Sequence, residues 1–215
     1  EVTAEAVEEP AAQPQAEPAI KGIRLKRLSL NNVKVHFINA DVNAHATVDS
    51  LRVENFDSLK PEQQTLLDLA LSIDGVELSQ QGKKMLIPAG AKVAVQAKLS
   101  QLLDDPHVLA NVSLAQVAVQ AADISTQLLA FESLNLREID YSAAALSLAE
   151  LQLQGLQGIT ADGVDKQALI GFEELLVKGI NLPQLKSLAI ETVQLSALHA
   201  DCLLYTSDAA DEEDS

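Results

Sequence analysis

Histidines are the residues of this chain best suited to metal or proton chemistry, because a neutral imidazole binds metals and can exchange a proton near pH 7. The sequence holds four, at His36, His45, His107 and His199. His36 and His45 fall in neighbouring predicted strands and are expected to meet. No carboxylate or third ligand stands beside them at a metal spacing. A surface or strand-edge role is the favoured interpretation, and no metal site is predicted.

Paired carboxylates are the next candidates for chemistry. Asp104-Asp105 precedes Pro106, and a turn before the proline explains the pair better than general acid–base catalysis. Asp162-Gly163-Val164-Asp165 offers too few oxygen ligands, and no closing Glu, for a calcium loop. Phosphate-cradling glycine loops and nucleophile elbows do not occur in the sequence. We therefore predict no catalytic, cofactor-binding or metal site and no enzymatic activity.

An apolar spacing with offsets 0, 2, 5, 7 and 10 recurs along the chain and is its most informative feature. Full copies begin at Ile23, Val112, Leu146, Leu175 and Leu188, and shorter ones at Leu71 and Leu134. On a helix these offsets scatter around the axis. On a strand, apolar residues two apart face one way, and each two-residue spacer shifts the phase through a bulge or bend. The spacing predicts short bent strands around a long apolar face.

Individual strands of the first half follow from the same pattern. They are predicted over Lys21–Phe37 (two strands), Ala44–Phe56, Leu67–Ile73, Val76–Leu78 and Lys92–Leu99. Asn31-Asn32 and Asp74-Gly75 are interpreted as turns between strands. Gly82 and Pro88-Ala89-Gly90 mark further breaks. One helical turn is expected after Pro61.

The second half contains an internal repeat of roughly forty residues. Phe131–Leu156 aligns with Phe172–Leu198 when one residue is inserted. Such repeats imply neighbouring units that complete each other's core. Residues 157–171 are predicted to form the loop between the copies, with Asp162-Gly163 as its turn and a brief helix over Lys166–Ile170.

Two other architectures are compatible with parts of the sequence. The spacing also opens a leucine-rich repeat, but the copies stand 12 to 48 residues apart with no fixed period, and the helical half of such a repeat is missing. The second half, rich in Leu, Ala, Gln and Glu, could also be helical by propensity alone. The phase shifts of the spacing favour strands.

Both ends of the chain differ from the body in composition. Residues 1–20 hold five acids, three prolines and no Lys or Arg, and are expected to form a disordered acidic linker. Cys202–Glu212 resembles the translation of a sequencing-library adapter, so residues 202–215 are expected to be a non-native tail. This interpretation makes the chain a fragment whose gene continues past Asp201 and removes its single cysteine from consideration.

Charge is concentrated in those ends. Ten of the 31 acids lie in them, so residues 21–201 carry 21 acids against 15 Lys and Arg, a net charge near −6 instead of −16. This balance gives no support for nucleic-acid binding. The basic cluster of Lys21, Arg24, Lys26 and Arg27 alternates with apolar residues and is interpreted as a solvated strand face.

Three segments of the body resemble a known family. They are Ile23–Phe37 with the strand Ala46–Phe56, then Phe131–Leu136 leading to Leu146–Leu153, and finally Leu188–Leu195 ending in Leu198–Asp201. In these segments the chain resembles DUF748-containing proteins of the AsmA-like superfamily of bacterial envelope proteins. The resemblance covers most of residues 20–201 and rests on strand patterns.

The resemblance implies a protein anchored to the inner membrane by an N-terminal helix outside this sequence, with a long periplasmic β-structure. In AsmA-like relatives that structure is an elongated, curled sheet with an apolar groove, linked to outer-membrane biogenesis and to phospholipid transport. It implies no catalytic residues and no cofactor. Phospholipid acyl chains are the expected partners, and the resemblance names no protein partner.

We therefore expect a mainly β protein whose repetitive, short, bent antiparallel strands form an elongated curled sheet with few short helices. The β-repeat domain is expected over residues 21–201, with subunits of about 21–105 and 106–201. The first functional hypothesis is a groove-forming, lipid-handling periplasmic protein. The alternative is a structural scaffold, spacer or protein-binding module without lipid, which predicts a two-sided sandwich with no open apolar face.

Overall fold

The computed structural model describes residues 22–80, 83–121, 127–160 and 168–200, which form one all-β sheet. Its eleven strands are β1 (Arg24–Ile38), β2 (Val42–Asp57), β3 (Thr65–Gln80), β4 (Lys83–Ile87), β5 (Lys92–Ser100), β6 (His107–Ala121), β7 (Gln127–Tyr141), β8 (Ala145–Thr160), β9 (Ala168–Pro183), β10 (Thr192–Ser196) and β11 (His199–Ala200). The described residues contain no helix. The predicted fold class, a mainly β protein with a curled antiparallel sheet, is confirmed.

The sheet is an antiparallel meander in which most strands pair with their neighbours in the chain. Two of its positions are shared by two strands. β4 and β5 both pair with β3 on one side and with β6 on the other, and β10 and β11 both pair with β9. The eleven strands therefore occupy nine positions across the sheet.

The break between β4 and β5 has a local cause. Pro88 lacks a backbone N–H and cannot donate to a central ladder, and Gly90 adopts a φ of 125° that suits glycine. The backbone of Ile73 on β3 holds the segment between β4 and β5 in place. Its N–H donates a hydrogen bond to Ala91 O at 2.8 Å, and its carbonyl accepts one from Gly90 N at 3.1 Å. The predicted break at Pro88-Ala89-Gly90 is confirmed.

Left-handed residues bend the strands at the predicted spacers. Nine of the ten described residues with φ between 49° and 65°, all but Leu185, occupy the second position of a two-residue spacer between apolar residues. They are Asn32, Asn55, Gln101, Gln116, Glu138, Gly155, Gly179, Gln184 and Ala197. A left-handed residue adds one position to a strand, as in a bulge, so the next apolar side chain stays on the same face. The predicted bend is confirmed at spacers such as Asn31-Asn32 and Gln154-Gly155, whereas the predicted spacers Lys26-Arg27 and Ala149-Glu150 contain no left-handed residue.

Neighbouring strands keep their apolar rows aligned when their spacers lie at the same level. β7, β8 and β9 do so: Leu136 pairs with Leu151 on one side of the spacer, and Ile139 pairs with Leu148 on the other. β6 has no spacer at that level, so its register with β7 shifts between Ala110 and Val112.

Polar side chains stabilise the places where registers shift. Asn111 Oδ1 accepts the backbone N–H of the left-handed residue Glu138 at 2.8 Å. Between β2 and β3, Ser72 Oγ donates to Asp49 and Thr47 Oγ1 donates to Asp74, both at 2.7 Å. These contacts replace ladder hydrogen bonds that an extra residue interrupts.

Several boundaries predicted from local turn signals are wrong. Asn31-Asn32 does not separate two strands, because β1 is continuous and Asn32 only bends it. Asp74-Gly75 is not a hairpin turn, since Ile73 and Val76 both continue along β2. Strand pairing on both sides overrode the turn preference of each dipeptide.

The predicted helices and the predicted strand lengths are also wrong. Pro61 begins a non-helical turn, and residues 168–170, assigned to a brief helix, are the start of β9. The loop predicted over residues 157–171 is shorter, because β8 continues to Thr160. Most strands have 15 or 16 residues and are long, not short. Gly82 and Asp162-Gly163 lie outside the described residues.

Candidate functional site: the apolar face

One face of the sheet carries aliphatic side chains in rows that cross the strands. The central row crosses all nine positions: Leu30, Leu51, Leu69, Val95, Val112, Leu136, Leu151, Val177 and Val193. The row beside it is Val33, Val48, Leu71, Val93, Leu114, Leu134, Leu153, Leu175 and Leu195. No polar residue interrupts either row. Directly opposed apolar residues of this kind stabilise antiparallel sheets pair by pair.

Nothing in the described part of the chain covers this face. Every contact between strands there joins sheet neighbours, so no second layer packs against the rows. Side chains in the middle of the sheet are buried or half-buried, as at Val177, which is 8% exposed. At the outer strands the same rows are more open: Leu30 is 37% exposed and Val193 59%.

The size of the face can be estimated from strand geometry. Nine positions about 4.8 Å apart, with about 15 residues rising about 3.3 Å each, span roughly 40 by 50 Å. Monomeric proteins rarely expose continuous apolar patches above a few hundred Å². A continuous aliphatic face of these dimensions, with no second layer among the described strands, is the candidate functional site.

The chemistry of the face is aliphatic. Aromatic residues make up 3% of the chain, and the two complete rows contain only Leu and Val. Sugars and bases are commonly held by stacking on aromatic rings, which these rows do not offer. Flexible hydrocarbon chains match smooth aliphatic walls.

The opposite face is polar. Hollows lie along the sheet, and one of about 760 Å³ spans β5 to β8. Another of about 720 Å³ crosses β3, β5, β6, β7, β8 and β9, and a third of about 520 Å³ adjoins it. The lining residues of the hollow of about 720 Å³ come in threes, such as Glu138-Ile139-Asp140 and Ser147-Leu148-Ala149, centred on an apolar-face residue. In the first of these threes Ile139 is half-buried, whereas Glu138 and Asp140 are exposed.

The histidines singled out from the sequence are placed as follows. His36 and His45 pair across β1 and β2, their rings 4.4 Å apart, so the predicted meeting is confirmed. His107 Nε2 lies 2.7 Å from Asp140 Oδ1 on the polar face, a contact that sequence reasoning missed. His199 lies on β11 opposite Gly171. No group of three possible metal ligands occurs within residues 22–80, 83–121, 127–160 and 168–200.

The predicted carboxylate and basic clusters have structural roles where they are described. Asp104 and Asp105 lie in the turn before Pro106, as predicted. Arg24 and Arg27 point to the acids Asp57 and Glu54 on β2, at 2.7 and 2.8 Å. Lys21 and Asp162–Asp165 lie outside the described residues.

Asp57 of β2 stabilises the β1 edge, at the end of the apolar face, through its ion pair with Arg24. Its side chain is 3% exposed, while that of Arg24 is 65% exposed. Burial alone would raise the pKa of Asp57, but the N–H of Leu59 and the guanidinium of Arg24, which donate hydrogen bonds to its carboxylate, lower that pKa below its ordinary value of 3.8. The ionised carboxylate therefore favours the folded state.

A scan against protein-family models, a search of curated proteins and a search of solved structures find no match to this chain. Among the described residues, no helix has the length and apolar content needed to cross a membrane.

Proposed function

We propose that this protein is a non-enzymatic, lipid-handling protein of the bacterial cell envelope, whose apolar face holds phospholipid acyl chains. Its location would be periplasmic, with an inner-membrane anchor outside this sequence, and its role would lie in lipid transport or outer-membrane biogenesis. Location and role come from the resemblance to AsmA-like DUF748 proteins. The acyl-chain ligand also has support in the geometry of the sheet.

The observation that carries the proposal is the apolar face, on which no described element packs. Two complete rows of Leu and Val cross nine strand positions. Exposing such a face to water costs a free energy of about 25 cal/mol per Å² of apolar surface. An acyl chain laid across the rows would remove that cost without needing hydrogen bonds from the protein.

Continuity of the rows also supports a lipid. A conduit for hydrocarbon chains must not contain polar interruptions, because a desolvated polar group opposes burial. Strands β7, β8 and β9 place their spacers at one level, so Leu136, Leu151 and Val177 stay aligned despite the bends. The bulges bend the sheet while keeping its face continuous.

The test is lipid extraction from purified full-length chain, followed by mass spectrometry of the organic phase. We expect co-purified phospholipid in stoichiometric amount, and uptake of a fluorescent acyl chain after delipidation. The variant Leu136→Lys, which places a charge on the apolar face, should lose uptake of the acyl chain. The matched control Asn135→Lys, on the polar face, should keep it. Lipid-free protein that also fails to take up acyl chains would contradict the proposal.

A protein-binding scaffold remains the second candidate, and one observation favours it. β1 is a continuous edge strand of 15 residues, and a long exposed edge is a template on which another chain can add a strand. The uncovered face speaks against the simple spacer, which predicts a closed sandwich. Pull-down of one defined partner by lipid-free protein, lost when Val35→Pro blocks the edge, would favour the scaffold.

A further inference from the structure

The β1 edge carries a larger excess of positive charge than any other described strand, and we propose that it is a docking surface for an anionic lipid bilayer. β1 holds four Arg or Lys residues and no Asp or Glu. This inference rests on the proposed function, because it names the surface from which acyl chains would reach the apolar face.

Two lysines on β1 carry charge that no ion pair among the described residues neutralises. Arg24 and Arg27 are each paired with an acid of β2, although both side chains are 65% exposed. Lys26 and Lys34 are exposed and make no ion pair within the described part of the chain. Basic residues close to an anionic membrane surface contribute about 1 kcal/mol each to binding.

Exposed apolar side chains alternate with these charges along the same strand. Val35 is 44% exposed, Phe37 54% and Ile38 71%. Val35 and Phe37 lie on the apolar face, opposite Ala46 and Ala44, whereas Lys34 lies opposite Thr47 on the polar face. An amphipathic element with apolar residues on one side and Lys or Arg on the other binds in the membrane interface. A strand can provide the same two sides with a period of two.

A second copy of the chain fits this edge poorly. Antiparallel pairing of two β1 edges would place two strands with four basic residues and no acid beside each other, and their like charges repel. The opposite edge, formed by β10 and β11, contains no Lys, Arg, Asp or Glu and offers no complementary charge. Charge complementarity therefore favours an anionic bilayer.

The experiment is flotation of the full chain with vesicles of phosphatidylcholine alone or with one third phosphatidylglycerol. We expect binding to the anionic vesicles, weakened by salt. The double variant Lys26→Gln/Lys34→Gln should bind roughly 30-fold more weakly, as the loss of two such lysines predicts. The matched control Lys92→Gln/Lys98→Gln on β5 removes the same charge and should bind as the unchanged chain does. Circular dichroism checks that both variants retain the sheet.

Three results would overturn the docking surface. They are equal binding to both vesicle types, equal losses in the two double variants, and displacement by inorganic phosphate at matched ionic strength, which would indicate a small-anion site. Binding of polyglutamate through Lys26 and Lys34 without vesicle binding would also overturn it, in favour of an acidic protein. Phospholipid in the extract without any anionic preference ends this inference and leaves the proposed function standing. Binding to anionic vesicles by a protein that extracts no lipid would contradict the proposed function and leave the docking surface standing.

Discussion

The middle of the sheet and its β1 edge carry the same apolar rows, but the side chains of these rows are more exposed at the edge. In the middle, Leu151 has an apolar neighbour on each side, Leu136 and Val177, and is half-buried. At the edge, Leu30 has one such neighbour, Leu51, and is 37% exposed. The comparison teaches that lateral packing within one layer gives this sheet its core, and that the edge has surface left for other contacts.

The largest expected effect tests that difference with one substitution in two places. Leu151→Ala should lower the free energy of unfolding by about 2 to 3 kcal/mol, because it removes packing on both sides. Leu30→Ala should cost about 1 kcal/mol, since much of its side chain is already in water. Urea unfolding of both variants measures the two values. Equal losses would mean that the face is covered in solution and that the comparison is wrong.

The next prediction asks whether both regions bend through the same backbone conformation. Gly155 in the middle has a φ of 65°, and Gly155→Ala should cost about 1 to 2 kcal/mol, because a Cβ is strained in the left-handed region. Asn32 bends β1 at a φ of 53°, where Asn is tolerated. Asn32→Gly should therefore change stability by less than about 1 kcal/mol. Thermal unfolding compares them, and a neutral Gly155→Ala would contradict the assigned bend.

A smaller loss of stability is expected where the two-residue spacer on β7 lies opposite a part of β6 that has no spacer. Asn111→Ala removes the acceptor of the Glu138 N–H and should cost about 1 kcal/mol. Asn135→Ala, on the same face of the adjacent strand, is the matched control and should be nearly neutral. Hydrogen exchange at the Glu138 amide gives a direct reading. Unchanged protection in Asn111→Ala would show that the side chain does not stabilise the bulge.

The smallest effect concerns the ion pair between Arg24 of β1 and Asp57, whose contribution to stability is present at neutral pH and is lost in acid. Because the folded pKa of Asp57 lies below 3.8, its contribution to stability is full above that value and is lost as the pH falls through the folded pKa. Asp57→Asn should remove this part of the acid sensitivity. Glu54→Gln, which removes the more exposed ion pair with Arg27, should matter little. Urea unfolding from pH 2.5 to 7 compares them, and an unaltered profile in Asp57→Asn would refute the assignment.

The sequence predicted the face better than it predicted the strand ends. The spacing of residues such as Leu136 and Ile139 reports which side chains share a face and where a bend must lie, and both are confirmed. Asp74-Gly75 and Asn31-Asn32 failed as turns, because local preference was outweighed by apolar partners on neighbouring strands. The pair His107–Asp140 joins residues 33 positions apart, and only the register between β6 and β7 reveals it.

The central claim is that acyl chains lie on the apolar face, and photocrosslinking from two adjacent residues tests it most directly. A benzophenone amino acid replaces Leu136 in one variant and Asn135 in the other, whose side chains point to opposite faces. After irradiation in cells, mass spectrometry seeks phospholipid adducts on each purified variant. We predict an adduct at position 136 and none at position 135. Adducts at neither position, or equally at both, would contradict the claim.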